Sequence, residues 1–153
     1  MSGDPFQLER FVHMQDAMSF PHRERRHIDD AVNELRNGRK TSHWMWFIFP
    51  QMEGLGASEM ARTYAISGAE EAEAYLEHPI LGTRLLGCAE LVAESKAKSA
   101  EEIFGATDTK KLRSSMTLFQ VVSYFDDVFS AVLDRYFDGE PDLVTLDLLG
   151  DLE

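Results

Sequence analysis

The chain has 153 residues, of which 44% are hydrophobic and 27% charged, so its size and composition fit one globular domain and exclude a disordered or fibrous protein. Acidic residues outnumber basic ones by 27 to 15, and the formal charge of −12 opposes non-specific attraction to DNA, RNA or anionic lipid. The single cysteine cannot form an internal disulfide, the start Met1-Ser2-Gly3-Asp4-Pro5 lacks the pattern of a secretory signal, and the longest apolar block falls far short of a membrane span. A cytoplasmic location without membrane association is therefore expected.

In chain order, Asp4-Pro5 predicts a cap and first turn, followed by helical spacing of Leu8, Phe11, Val12 and Met18 that ends near Ser19 to Pro21. Ile28, Ala31, Val32 and Leu35 recur at i, i+3, i+4 and i+7, with Gly38 placed to stop that helix. Their neighbours Arg23, Glu24, Arg25, Arg26, Asp29 and Asp30 are expected on a solvated face.

The run Gly38 to Gln51 contains both tryptophans and an unbroken apolar block from Trp44 to Phe49. A segment apolar on every side must be enclosed or line a cavity. Ser42 is expected to cap a short helix here, and Pro50 to end it. Ser58 can cap Met60 to Ile66; Ser67 to Glu70 has capping-box spacing before Ala72 and Leu76; His78-Pro79 opens a helix carrying Leu81, Leu85, Cys88, Leu91 and Val92 on one side. Ser99 to Glu102 repeats the box, with Gly105 ending that turn. Asp108 is expected to cap a helix with Leu112, Met116, Phe119 and Val122 inward, Asp126 one with Phe129, Val132, Leu133 and Tyr136 that ends at Gly139, and Asp142 opens an apolar tail to Leu149. The prediction is an all-α, compact multi-helix domain spanning 1–153, with Cys88 a buried, inert thiol.

The stretches Gly38-Arg39-Lys40 with Ser42 to Gln51, Gly54-Leu55-Gly56, Tyr64-Ala65-Ile66, Glu71 to Leu85, Lys111 to Phe119 and Val132 to Phe137 together resemble a family of bacterial domains of unknown function, from Asp4 to Leu149. The resemblance implies an all-helical domain similar to a structurally known mycobacterial hypothetical protein, and carries over no established activity, cofactor or catalytic residue. Members of that family often carry the label calpastatin. An inhibitor of that kind acts as a disordered polar chain, whereas these capped amphipathic segments can bury a core, so the label is rejected.

Two polar-aromatic clusters stand out. Trp44 to Phe49 reads first as core packing; its functional alternative is a pocket wall in which Trp44 or Trp46 faces a planar ligand while Ser42, His43 and Gln51 fix its polar edge and Arg39 and Lys40 attract its charge. Lys111, Arg113, Ser114 and Ser115 read first as a solvated face, and alternatively as an oxyanion contact. Convergence of these clusters would make a site for a small anionic, nucleotide-like metabolite. His43 lacks an acidic partner at a recognisable spacing, and His13, His22 and His27 lack metal-site spacing, so neither metal nor cofactor is predicted. The competing classes are a protein-interaction or regulatory module without catalysis, and a hydrolase of ribosylated nucleotides. The latter rests on Ser42-His43, which is similar to part of the serine–glutamate–histidine motif of helical N-glycosidases, with the histidine displaced and the glutamate missing.

Overall fold

The computed structural model describes residues 3–19, 24–124 and 128–150. Among these residues the chain forms α1 (Glu9–Asp16), α2 (His27–Arg36), α3 (Met45–Ile48), α4 (Glu59–Thr63), α5 (Ala69–Glu77), α6 (Leu81–Ala93), α7 (Ala100–Val122), α8 (Val128–Phe137) and α9 (Leu143–Gly150). Among the described residues, extended pairing is limited to two isolated bridges, Met18 with Arg26 and Met52 with Ile66. The fold is all-α, and none of these helices is long and apolar enough to cross a membrane.

Local sequence signals account for many helix ends. Gly38 adopts φ +73°, its N–H donates to Leu35 O at 3.1 Å and Arg39 N–H to Glu34 O at 3.0 Å, the paired closure of a Schellman turn at the end of α2. Ser58 Oγ accepts from Ala61 N at 3.1 Å at the start of α4, and Ser99 Oγ accepts from Glu102 N at 3.1 Å at the start of α7. His78 Nδ1 accepts from the backbone N–H of Ile80 and Leu81, both at 3.2 Å, and so launches α6. Gly105, at φ +79° and ψ 168°, leaves helical geometry and ends the first turn of α7 as expected, and a second helical run follows directly after it.

Other ends differ from the sequence expectation. Asp4 accepts from Leu8 N at 2.7 Å and Glu9 N at 3.0 Å, but α1 stops at Asp16, and Met18 is 59% exposed beside Arg26 instead of facing inward. The carboxylate that receives Ser67 N and Oγ, each at 2.9 Å, belongs to Glu71 and not Glu70. Asp108 lies within α7 and caps nothing; the helix resumes just after Gly105, whose carbonyl takes the Thr109 hydroxyl at 2.7 Å. Asp30 is buried and paired with Arg25 at 2.9 Å, so the solvated face proposed for α2 is interrupted by an inward charge. The cap assigned to Ser42 also needs revision, because α3 begins only after Trp44; Asp126, expected to cap α8, lies outside the described residues.

One contiguous core joins every helix except the short α4, which lies against it through the half-buried Met60. Its centre is aromatic. Phe11 meets Tyr75 edge-on at 5.1 Å, Tyr75 packs on Phe119 at 5.4 Å, and Phe119 on Phe129 at 5.9 Å, linking α1, α5, α7 and α8. Cys88 is buried in α6, where desolvation pushes its thiol up to about 12.

Candidate functional site

The tryptophan segment divides into a core half and a cavity half. Trp44 is completely buried, with Phe49 and Phe104 at 6.3 and 6.4 Å from its ring. Its indole Nε1 donates to Glu34 Oε1 at 3.0 Å, and the same carboxylate accepts from Thr41 N at 2.6 Å, Ser42 N at 2.9 Å and Ser42 Oγ at 2.6 Å. Burial pushes the Glu34 carboxyl up, but the bonds from Ser42, Thr41 and Trp44 outweigh it and leave the carboxyl below its ordinary value. Ser42 therefore binds the preceding helix instead of opening the next one. Lys40 reinforces the corner: its Nζ donates to Ser42 O at 2.5 Å, pairs with Asp108 at 2.9 Å and lies 5.1 Å from the Trp44 ring centre.

Two residues further on, Trp46 is only half-buried and turns to a cavity of about 500 Å3. One wall is a single face of α7, because Thr107, Lys110, Lys111 and Ser114 recur at i, i+3, i+4 and i+7. Lys111 Nζ sits 4.9 Å from the Trp46 ring centre and 3.2 Å from Asp108, so Lys40 and Lys111 share one carboxylate. Gln51 and the loop residues Leu55 and Gly56 form the opposite wall, and Asp142 with Val144 closes the α9 side. Asp142 is engaged as the cap of α9: its Oδ2 accepts from Thr145 N at 3.0 Å, Thr145 Oγ1 at 2.6 Å and Ser114 Oγ at 3.4 Å.

The loop wall is held at its ends. Glu53 N donates to Ile66 O and Ile66 N to Gln51 O, both at 2.8 Å, which closes a neck around residues 53–65. Arg10 then donates to Thr63 O at 2.9 Å and Ala65 O at 2.8 Å while pairing with the buried Glu71 at 2.9 Å. No residue between Glu53 and Ala65 is buried, so this excursion is fastened at its base and lightly packed along its length.

Of the residues picked from sequence, Trp46, Gln51, Lys111 and Ser114 share the cavity. The remainder lie elsewhere. Arg39 is exposed and contributes its backbone to the α2 stop; Lys40, Ser42 and Trp44 belong to the Glu34 corner; and His43 is exposed and does not line the cavity. Arg113 turns to the start of the α9 segment, donating from Nε to Glu140 O at 3.0 Å with its guanidinium 5.8 Å from the Phe137 ring centre. Ser115 is wholly buried. The expected convergence of the two clusters, with His43, Trp44 or Trp46, Gln51 and Arg113 at one cavity, is met by Trp46 and Gln51 and not by His43, Trp44 or Arg113: α7 presents its 107–111–114 face to the cavity, and Arg113 lies on another face. Lys110, Thr107 and Asp142 are the polar lining residues of α7 and α9 that sequence reasoning missed. The heptad-like spacing on α7 is the signal that could have found the first two.

The fold and cavity define a class, an all-helical protein with a polar-aromatic cleft beside its core. The chain matches, over residues 5–149, the family described as "Protein of unknown function (DUF1810)", and belongs to it. It is similar to the conserved hypothetical protein Rv1873 from Mycobacterium tuberculosis, known from a crystal structure, with 47% identity and a TM-score of 0.88; the match covers 96% of this chain and 99% of that one. No curated protein matches the chain.

Proposed function

We propose that the protein binds a small anionic metabolite with a planar group in the cavity between Trp46 and α7. The observation that carries this is the pairing of a half-exposed tryptophan with Lys110 and Lys111: Lys111 shares Asp108 with Lys40, and Asp142, the carboxylate among the described lining residues, is already engaged, so three ammonium groups face two carboxylates. A local excess of cation in a chain of net charge −12 favours an anionic guest there, and the volume of about 500 Å3 falls within the range of small-molecule sites. Trp46 supplies a face for stacking, while Gln51 and Ser114 supply hydrogen-bonding edges. Among the described lining residues there is no histidine to act as a general base, which favours binding over hydrolysis as the function proposed here.

The test is calorimetric titration with adenosine monophosphate, and separately with inorganic phosphate. Saturable binding of the nucleotide is expected, weakened about tenfold by Lys111→Ala through loss of one charge-assisted contact. His43→Ala and Arg113→Ala should leave the affinity unchanged. Absence of binding, or binding indifferent to both Lys111→Ala and Trp46→Leu, would refute this assignment.

A further inference from the structure

A second concavity, sharing no residue with the Trp46 cavity, lies between α5, α6 and the C-terminal end of α7. We propose that it docks a short segment of a partner protein bearing an apolar side chain flanked by lysine or arginine. Leu76, Leu86 and Val122 form an apolar floor, and Tyr124 stands at its edge, 76% exposed, with its hydroxyl donating to Glu73 Oε1 at 3.3 Å. Large apolar groups gathered around a depression are the usual mark of a recognition surface, whereas isolated ones are not. The volume of about 290 Å3 suits one or two anchoring side chains rather than a cofactor.

The rim specifies the partner's charge. Glu73 and Glu77 stand one helical turn apart on α5, and Glu70 precedes them by another. Like charges at i and i+4 repel, and among the described residues no lysine or arginine lines the groove to relieve them. A cationic flank on an incoming peptide would offset that repulsion and set its register across the rim. A second copy of this chain is disfavoured as occupant because each carries −12, and nucleic acid is disfavoured by the same acidic edge.

The experiment is selection from a displayed library of random linear peptides against the full chain, followed by affinity measurement on the synthetic winners. Enrichment of sequences with an apolar residue between basic ones is expected, with backbone amide shifts in the complex centred on α5 and Tyr124. The double variant Glu73→Lys/Glu77→Lys should weaken binding about tenfold or more without changing the circular dichroism. Tyr124→Ser, which alters no charge, should also weaken it; if the double variant fails to fold, this variant decides. No enrichment, winners without basic residues, affinity unchanged in Tyr124→Ser, or sedimentation showing a dimer whose formation Tyr124→Ser abolishes would each overturn the proposal.

Discussion

Replacing Glu34 with alanine tests whether one carboxylate organises the entry to the tryptophan segment. Its four donors are not equivalent. Thr41 is exposed and Ser42 half-buried, so water can replace the carboxylate for their N–H and hydroxyl groups at little cost. Trp44 is completely buried, and its Nε1 would be left without an acceptor. An orphaned buried donor costs about 1–3 kcal/mol, and a hydrogen bond to a charged group contributes about 1.5–3 kcal/mol. These overlap, so a net loss of about 2–4 kcal/mol is expected, or about 5–15 °C in melting temperature for a chain of this size. Urea denaturation of wild type and Glu34→Ala measures it. The pH dependence supplies an independent check. Because the folded carboxyl lies below its ordinary value of 4.5, the stabilisation is fully present above pH 4.5 and is lost as pH falls through the folded value. The gap between the two proteins should therefore narrow in acid. A loss under about 1 kcal/mol at neutral pH would show that Trp44 is held by packing alone, and a gap that persists undiminished in strong acid would show that the charge of the Glu34 carboxylate is not what stabilises the corner.

The two tryptophans should separate in the same assay: Trp44→Ala should cost about 3–5 kcal/mol, the range for a fully buried aromatic, and Trp46→Ala less than half of that. Equal losses would contradict the division between core and cavity. Cys88 should resist iodoacetamide at pH 8 in native protein and react after denaturation, since its buried thiol is pushed up to about 12; rapid native labelling would count against the position of α6. Gly82→Ala should destabilise by about 1–3 kcal/mol although alanine is the better helix former, because a β-carbon there would overlap the Leu76 carbonyl oxygen at the α5–α6 corner. A stabilised variant would mean that this corner is looser than described.

What was legible from the sequence is what depends on neighbours a few residues apart. Gly38, Ser58, His78 and Ser99 act within one turn of their positions, and the apolar spacing of α2, α6 and α8 follows from the burial it produces. Misplaced residues have partners that local spacing does not encode. Ser42 looks like a cap until Glu34, eight residues back, takes its hydroxyl; Asp108 looks like another until Lys40, far earlier in the chain, claims its carboxylate. Arg113 is adjacent in sequence to a cavity residue yet directed to Glu140, a choice made by the rotation of α7 about its axis.

These two polar corners are connected, and their connection explains why a salt-bridged lysine stands four residues ahead of a block of six apolar residues. Asp108 receives Lys40 from the Trp44 side and Lys111 from the Trp46 side, so one carboxylate neutralises two ammonium groups only in part. Of this pair, Lys40 has a 9% exposed side chain and a further bond to Ser42 O, which commits it to the core corner. Lys111 is the more exposed, at 24%, and lines the cavity, so it is the cation able to turn towards a guest without dismantling the Glu34 cluster. Rigid support from Trp44 and the more exposed charge beside Trp46 thus come from separate residues, the second from α7, which is the arrangement the proposed binding role would need if occupancy is not to cost the fold.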